Sequence, residues 1–292
     1  MRCFYCLLIA ALLSFSANAG EVTKSFRFSD YSITEAGDYQ LVKFKACLNT
    51  GYTGEPSMPW FAVKLLLPPG EEAVSFNVSG KGLVEIPGDY RIYPQQASRP
   101  VSLGYSGEFS IDQDIYNSDI SYPEKIHGRI TTQYMNGHSI AMLNICPLVY
   151  NPSRGSLSYY SEITVSVSTE KTAQAENALQ MIPSGAGAKE RIGRFVQNPV
   201  LMEDYPVKDA KSGDYKLLII ADEEYDNDFE ELQDLYFLKG IASEVATTQY
   251  IYSSISGQDH QEKIRNYIIQ EYQDHGIEFV LLAGDVEYIP YR

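Results

Sequence analysis

The chain has 292 residues, 44% of them hydrophobic, with 23 basic against 38 acidic side chains and a net charge of −15. That composition gives room for about two globular domains and excludes a collagen, a coiled coil, low-complexity disorder and a multi-span membrane protein. The acidic balance also argues against non-specific nucleic-acid binding, which needs a basic surface to displace counterions.

The chain opens on Arg2, an uninterrupted apolar run from Cys3 to Leu13, and the small residues Ala17-Asn18-Ala19. A positive start, a short apolar run and a small-residue end predict an export signal over residues 1–19, cleaved after Ala19. The run is too short to span a bilayer, and no later segment reaches the roughly 20 apolar residues of a membrane helix. The expected product is secreted and has no membrane span. Cys3 and Cys6 leave with the signal, so Cys47 and Cys146 remain, either as one disulfide or as two buried thiols.

Residues 20–168 read as an all-β sandwich. Val42, Phe44 and Ala46 alternate with Lys43 and Lys45, as in a strand with one wet face. A strand run is expected from Val42 to Leu48, then strands over Trp60 to Leu67, Ala73 to Val78, Arg129 to Met135 and Ser139 to Val149. Ile163, Val165 and Val167 alternate with polar neighbours in one more strand, after a turn at Asn151-Pro152-Ser153-Arg154-Gly155. Many short strands with regular turn signals point to a sandwich. Residues 169–204 lose that period and read as a linker or a weakly helical connection.

The period changes again near Asp214. Tyr215 to Ala221 is a continuous apolar strand, expected where helices cover both faces. Phe229, Leu232, Leu235 and Tyr236 recur at helical spacing up to Lys239-Gly240. Ser243 to Tyr250 reads as a second strand. Asp259 with Glu262 forms a capping-box pattern, Ile264, Tyr267, Ile268 and Tyr272 make the apolar stripe of a helix, and Gly276 supplies its stop. Ile277 to Ala283 is a third strand. The β-α-β-α-β order predicts a parallel α/β unit. Three strands leave both sheet edges open, so this unit is expected to be incomplete, either as a fragment or through dependence on a partner.

Residues 214–292 hold 17 acidic and 5 basic groups. That is either a solvated acidic face or an attraction for calcium or a basic segment. Phosphate-binding glycine patterns, H-E-x-x-H and G-x-S-x-G are absent. His127 and His138 share the β region with Cys146, but a thiol inside an apolar strand reads as buried rather than nucleophilic. His260 and His275 flank one helix, and the helix dipole already favours His275 at its end. Asp222 and Asp285 follow the first and third parallel strands, where such sheets bind ligands or where an Asp caps the next loop.

Two regions then resemble the precursors of gingipain-like cysteine peptidases, peptidase family C25. The first carries Gly54-Glu55-Pro56-Ser57-Met58-Pro59, Leu67-Pro68-Pro69-Gly70, Leu148-Val149-Tyr150-Asn151-Pro152 and the strand Tyr159 to Val167, and is similar to the family propeptide. The second spans residues 205–292 and resembles the start of the peptidase domain. It carries Leu217-Leu218-Ile219-Ile220, Lys239-Gly240, Ile264-Arg265-Asn266-Tyr267-Ile268, Val280-Leu281-Leu282-Ala283-Gly284-Asp285 and Ile289-Pro290. The resemblance implies a β-sandwich propeptide that docks on a caspase-like α/β domain and keeps it latent. It also implies protein or peptide substrates for the complete enzyme and structural calcium, with Asp285 as one ligand. The family's catalytic Cys and His are expected beyond residue 292, so this chain alone is expected to be inactive. The residue before Tyr205-Pro206-Val207, where Arg-specific members are cut after a basic residue, is Asp204, with Arg194 and Lys208 the nearest basic residues. The Tyr90 to Gly107 stretch, carrying Arg91 and Arg99, is expected to be an exposed loop, with no inhibitory residue singled out in it. The competing expectation is a non-catalytic extracellular binding or adhesion protein built on the same sandwich.

Overall fold

The structure is a computed structural model that describes residues 20–98, 100, 102, 108–209 and 215–291. The export signal expected over residues 1–19 lies outside the described residues. In chain order the elements are β1 (Gly20–Arg27), β2 (Tyr31–Ala36), β3 (Tyr39–Phe44), β4 (Cys47–Thr50), β5 (Met58–Leu66), β6 (Glu71–Ile86), α1 (Gln113–Tyr116), β7 (Thr131–Met135), β8 (His138–Ile145), β9 (Leu148–Asn151) and β10 (Ser156–Lys171). Next come α2 (Ala173–Gln180), α3 (Gly187–Phe195), β11 (Leu217–Ala221), α4 (Glu230–Leu238), β12 (Ser243–Thr247), α5 (Thr248–Ser254), α6 (His260–His275) and β13 (Phe279–Leu282).

Two antiparallel four-stranded sheets make the N-terminal part. One has the order β1-β10-β6 with β9 added to β10, and the other the order β4-β5-β8-β7; β2 and β3 form a separate hairpin. The alternation at Ile163, Val165 and Val167 sends all three inward, where they meet Val22 and Phe26 of β1 and Val63, Leu65, Leu143 and Ile145 of the facing sheet in one core. Burying such side chains contributes roughly 1.5–3 kcal/mol each.

Two expected runs break where the backbone cannot continue. The run Val42 to Leu48 is two strands, because Ala46 turns the chain at φ 62°. The run Ser139 to Val149 is also two, β8 and β9, separated at Cys146-Pro147, since proline has no N–H for the ladder.

The second sheet is covered on its other face as well. Leu66 and Ile140 point away from the shared core and pack with Ile182, Ile192, Val196, Met202 and Tyr205. These come from the 169–204 stretch and its continuation, which holds the end of β10, α2, α3 and a 3-10 turn at Pro199–Asp204. Gln197 and Asn198 fasten it by side-chain amides. Lys64 N donates to Gln197 Oε1 at 2.5 Å, Leu66 N to Asn198 Oδ1 at 2.7 Å, and Asn198 Nδ2 to Leu66 O at 2.9 Å. Those bonds fill the stretch of β5 that the short β4 leaves unpaired.

The C-terminal part is a parallel sheet, order β12-β11-β13, with Leu217 opposite both Ser243 and Phe279. Every residue of β11 is buried, as its continuous apolar run requires. Leu218, Ile220, Ala246, Ile251, Ile264 and Tyr267 form the core beneath α5 and α6. The strand expected to reach Tyr250 ends at Thr247, whose hydroxyl accepts from Tyr250 N and starts α5 instead. Asp259 caps α6 by accepting from Glu262 N, and Gly276 closes it at φ 65°. Phe279 and Leu282 of β13 stay about half exposed, and so do Leu235, Phe237 and Leu238 of α4, or more.

Candidate functional site

The carboxyl edge of the parallel sheet carries the two singled-out aspartates. Asp222 follows β11 with both oxygens engaged. Oδ1 accepts from Glu224 N at 3.0 Å, and Oδ2 accepts from Gln249 Nε2 at 2.7 Å and Thr248 Oγ1 at 3.4 Å. The Glu224 amide, then Gln249, hold its carboxyl below the ordinary value. Asp285 follows β13 after Gly284, whose φ of 136° and closeness to Tyr288 suit only glycine. Its Oδ1 accepts from Glu287 N at 2.9 Å and its carbonyl from Ile289 N at 2.8 Å, closing a short turn. Among the described residues Oδ2 of Asp285 takes no hydrogen bond, and no group of three or more His, Cys, Asp or Glu side chains gathers there or elsewhere. Calcium takes six to eight oxygens, so these residues do not by themselves compose a calcium site.

The thiols and imidazoles are apart from that edge. Cys47 is opposite Phe61 on β5, and Phe61 is opposite Ile145 on β8, the neighbour of Cys146. A whole strand therefore separates the cysteines, about 9.5 Å at two strand spacings, beyond the roughly 7 Å a disulfide tolerates. Both are free thiols. Burial pushes Cys47 up to about 11 and raises Cys146 further, while Cys146 Sγ donates to Leu148 O. Neither has the lowered pKa a nucleophile needs. His127 Nδ1 meets Gly128 O, His138 Nδ1 meets Asn136 O while its ring stacks on Tyr205, and His260 stacks on Tyr252. His275 stacks on Tyr215 and faces Glu271 at 3.7 Å. Each imidazole thus has a packing role, and among the described residues none pairs with a thiol.

Arg91 is exposed, its guanidinium over the Tyr39 ring, whereas Arg99 lies outside the described residues. Arg194 sits in α3, paired with Glu190 one turn earlier. Lys208 is tied down, with Nζ donating to Gln180 O at 3.0 Å and its carbonyl accepting from Gly185 N at 3.2 Å. The segment ending in Asp209 thereby returns to the α2–α3 connection.

That connection also meets the C-terminal part, a contact no sequence motif announced. Ser184 N and Oγ both donate to Gln273 O, at 3.1 and 2.7 Å. Asn136 Nδ2, in the β7–β8 turn, donates to Tyr272 Oη at 2.5 Å. Arg191 Nη1 lies 2.9 Å from Glu278 Oε2, whose other oxygen faces Lys216 Nζ at 3.4 Å. Beside these groups a cleft of about 490 Å³ runs past Arg191, Ile268, Tyr272, Ile277 and Val280.

Comparison with known proteins gives two family models in order along the chain. Propeptide_C25 covers residues 19–187 and peptidase family C25 covers residues 210–292. Gingipain R1 of Porphyromonas gingivalis is 30% identical over 151 residues, 51% of this chain and 14% of that protein. Gingipain R2 of the same organism is 25% identical over 267 residues, 88% of this chain and 34% of that protein. The chain thus spans about a third or less of the length of the curated relatives it matches. Among solved structures, the complex of Porphyromonas gingivalis RgpB pro- and mature domains aligns with TM-score 0.43 and 22% identity, over 55% of this chain and 84% of that one. A structure concerned with zymogenic latency of gingipain K from the same organism aligns with TM-score 0.43 and 20% identity, over 52% of this chain and 88% of that one.

Proposed function

Because this chain belongs to the C25 propeptide family and continues into the peptidase family C25 match, we propose that it is the N-terminal portion of a secreted, gingipain-like cysteine endopeptidase zymogen. The observation that carries the reading is the order of the two family matches, residues 19–187 and then 210–292, on one chain. The N-terminal sheets act as a sandwich propeptide, about residues 20–168 with the folded stretch to Tyr205 added. The parallel unit is the beginning of a caspase-like peptidase domain. Export follows from the signal at residues 1–19, and no helix among the described residues is long and apolar enough to cross a membrane.

Chemistry at this stage belongs to binding and latency. Cys47 and Cys146 have raised thiol pKa values and lie in the propeptide part, so neither is the thiol that would cleave peptides. Protein or peptide substrates would meet the carboxyl edge of the sheet, where Asp222 and Asp285 stand. Calcium, if bound by the complete domain, would take the available oxygen of Asp285 as one ligand among several. In that case EDTA lowers the melting temperature of the complete domain and Asp285→Asn removes the difference; no EDTA effect rejects the assignment.

The test of the zymogen reading is a cleavage assay on the precursor that contains this sequence. Removal of residues 20–209 should release peptide cleavage that a thiol alkylating agent abolishes. Absence of thiol-dependent cleavage after removal would reject the peptidase and leave the binding-protein reading.

A further inference from the structure

Building on the zymogen reading, we infer that the segment Gln180–Arg191 is a latch, and that the corner Tyr272–Glu278 of the peptidase-like unit is its receptor. The reason lies first in the end of α6. The last four carbonyls of a helix have no partner inside it. Tyr272 O is taken by Gly276 N, and Gln273 O is taken by Ser184, through both its N–H and its hydroxyl. A residue of the propeptide part thus caps a helix of the other part, and Ser184 is 7% exposed as a result.

Close approach is backbone to backbone at Gly276, and at Gly187 it is of backbone to the Glu278 carboxylate. A Cβ on Gly276 would sit 2.2 Å from Ser184 O, and one on Gly187 would sit 2.6 Å from Glu278 Oε1. Gly276 therefore answers two demands, the left-handed helix stop and the approach of the latch, and these can be separated by substitution. The Arg191–Glu278 pair then sets the direction of the segment across the corner.

Placement gives the latch its meaning. Tyr272–Glu278 and Lys216 precede β13 and β11, so the seam is at the amino ends of the strands. Asp222 and Asp285 follow the same strands at their carboxyl ends, roughly 15 Å away for strands of four or five residues. Ligands of parallel sheets bind at the carboxyl edge. Holding the propeptide on and covering the reactive edge are thus tasks for different surfaces, and this seam does only the first.

The test uses the whole chain with a site-specific protease sequence placed between Asp209 and Tyr215 and cut after folding. The two wild-type pieces should co-migrate in gel filtration. Gly276→Asn keeps the helix stop, because Asn tolerates positive φ, but adds the Cβ; it should weaken association at least tenfold. Arg191→Glu should do the same by facing Glu278 with a like charge, and it decides the matter should Gly276→Asn misfold. In the uncut Gly276→Asn chain, hydrogen exchange should quicken at Ser184 N while α6 keeps its protection. Separation of the wild-type pieces, or variants that associate as tightly as wild type, overturns the latch. Association is read without any peptidase activity, so this result is independent of the cleavage assay.

Discussion

Tyr205→Phe probes how firmly the stretch after β10 is fastened to the second sheet. The β5–β8 ladder ends at the pair Leu66–Ile140. One step further, Tyr205 Oη bridges the two strands, donating to Leu67 O at 2.8 Å and accepting from Ser139 N at 3.2 Å. Leu67 and Ser139 are 0% and 1% exposed, so water does not replace the hydroxyl without rearrangement. Phenylalanine keeps the stack on His138 and the packing, and removes only the bridge. Each buried group left without a partner costs about 1–3 kcal/mol, which puts the substitution near 3 kcal/mol in all. For a unit of this size that is a melting shift of about 10 °C. Trp60, the single tryptophan, packs against the N-terminal core, so its fluorescence follows this unit in a denaturant or thermal series. Burial raises the Tyr205 hydroxyl to about 12. Its share of stability is therefore complete below the unfolded value near 10 and is lost as pH rises towards 12, where the gap between wild type and Tyr205→Phe should narrow. A loss below about 0.5 kcal/mol, the scale of a surface substitution, would refute the bridge.

Three further outcomes are expected. Asp222 has its carboxyl held low by the Glu224 amide and Gln249, so its contribution is present above the unfolded value near 4 and disappears as pH falls through the lower folded value; Asp222→Asn should flatten the acid limb of the unfolding curve followed by circular dichroism, and an unchanged limb contradicts this. Asp259→Ala removes the cap of α6 and should cost about 1 kcal/mol, seen as faster hydrogen exchange at Glu262 N; unaltered exchange would show the cap to be idle. The intact mass should correspond to two reduced cysteines. Iodoacetamide should then label Cys47 slowly and only at alkaline pH, with Cys146 labelled after denaturation; a mass two hydrogens lower would reveal a disulfide and a different register.

Features that local chemistry encodes were legible in the sequence. The alternation at Ile163, Val165 and Val167 became the inward face of β10, the apolar run after Tyr215 became the buried centre of a parallel sheet, and Asp259, Glu262 and Gly276 bound α6 as their spacing required. Features set by tertiary contact were not. Ile182, Ile192, Val196, Met202 and Tyr205 follow no single period, because a folded strap covers the second sheet with one turn of helix here and an extended residue there. Gln197 and Asn198 look like loop residues, yet their amides serve β5 as a missing strand would. The seam joins Ser184 to Gln273 and Arg191 to Glu278, pairs 89 and 87 residues apart that carry no shared pattern. At the carboxyl edge, Asp222 and Asp285 stood out by position after their strands, while the bonds each makes depended on Gln249 and the turn to Ile289.

Latency of a thiol-dependent peptidase through residues 20–209, as proposed, would show when that unit is added back to its own activated enzyme and peptide cleavage is measured. Cleavage should fall in a dose-dependent, saturable way at micromolar concentration or below. Full activity at that concentration, with the added unit shown to be folded by its Trp60 fluorescence, would contradict it.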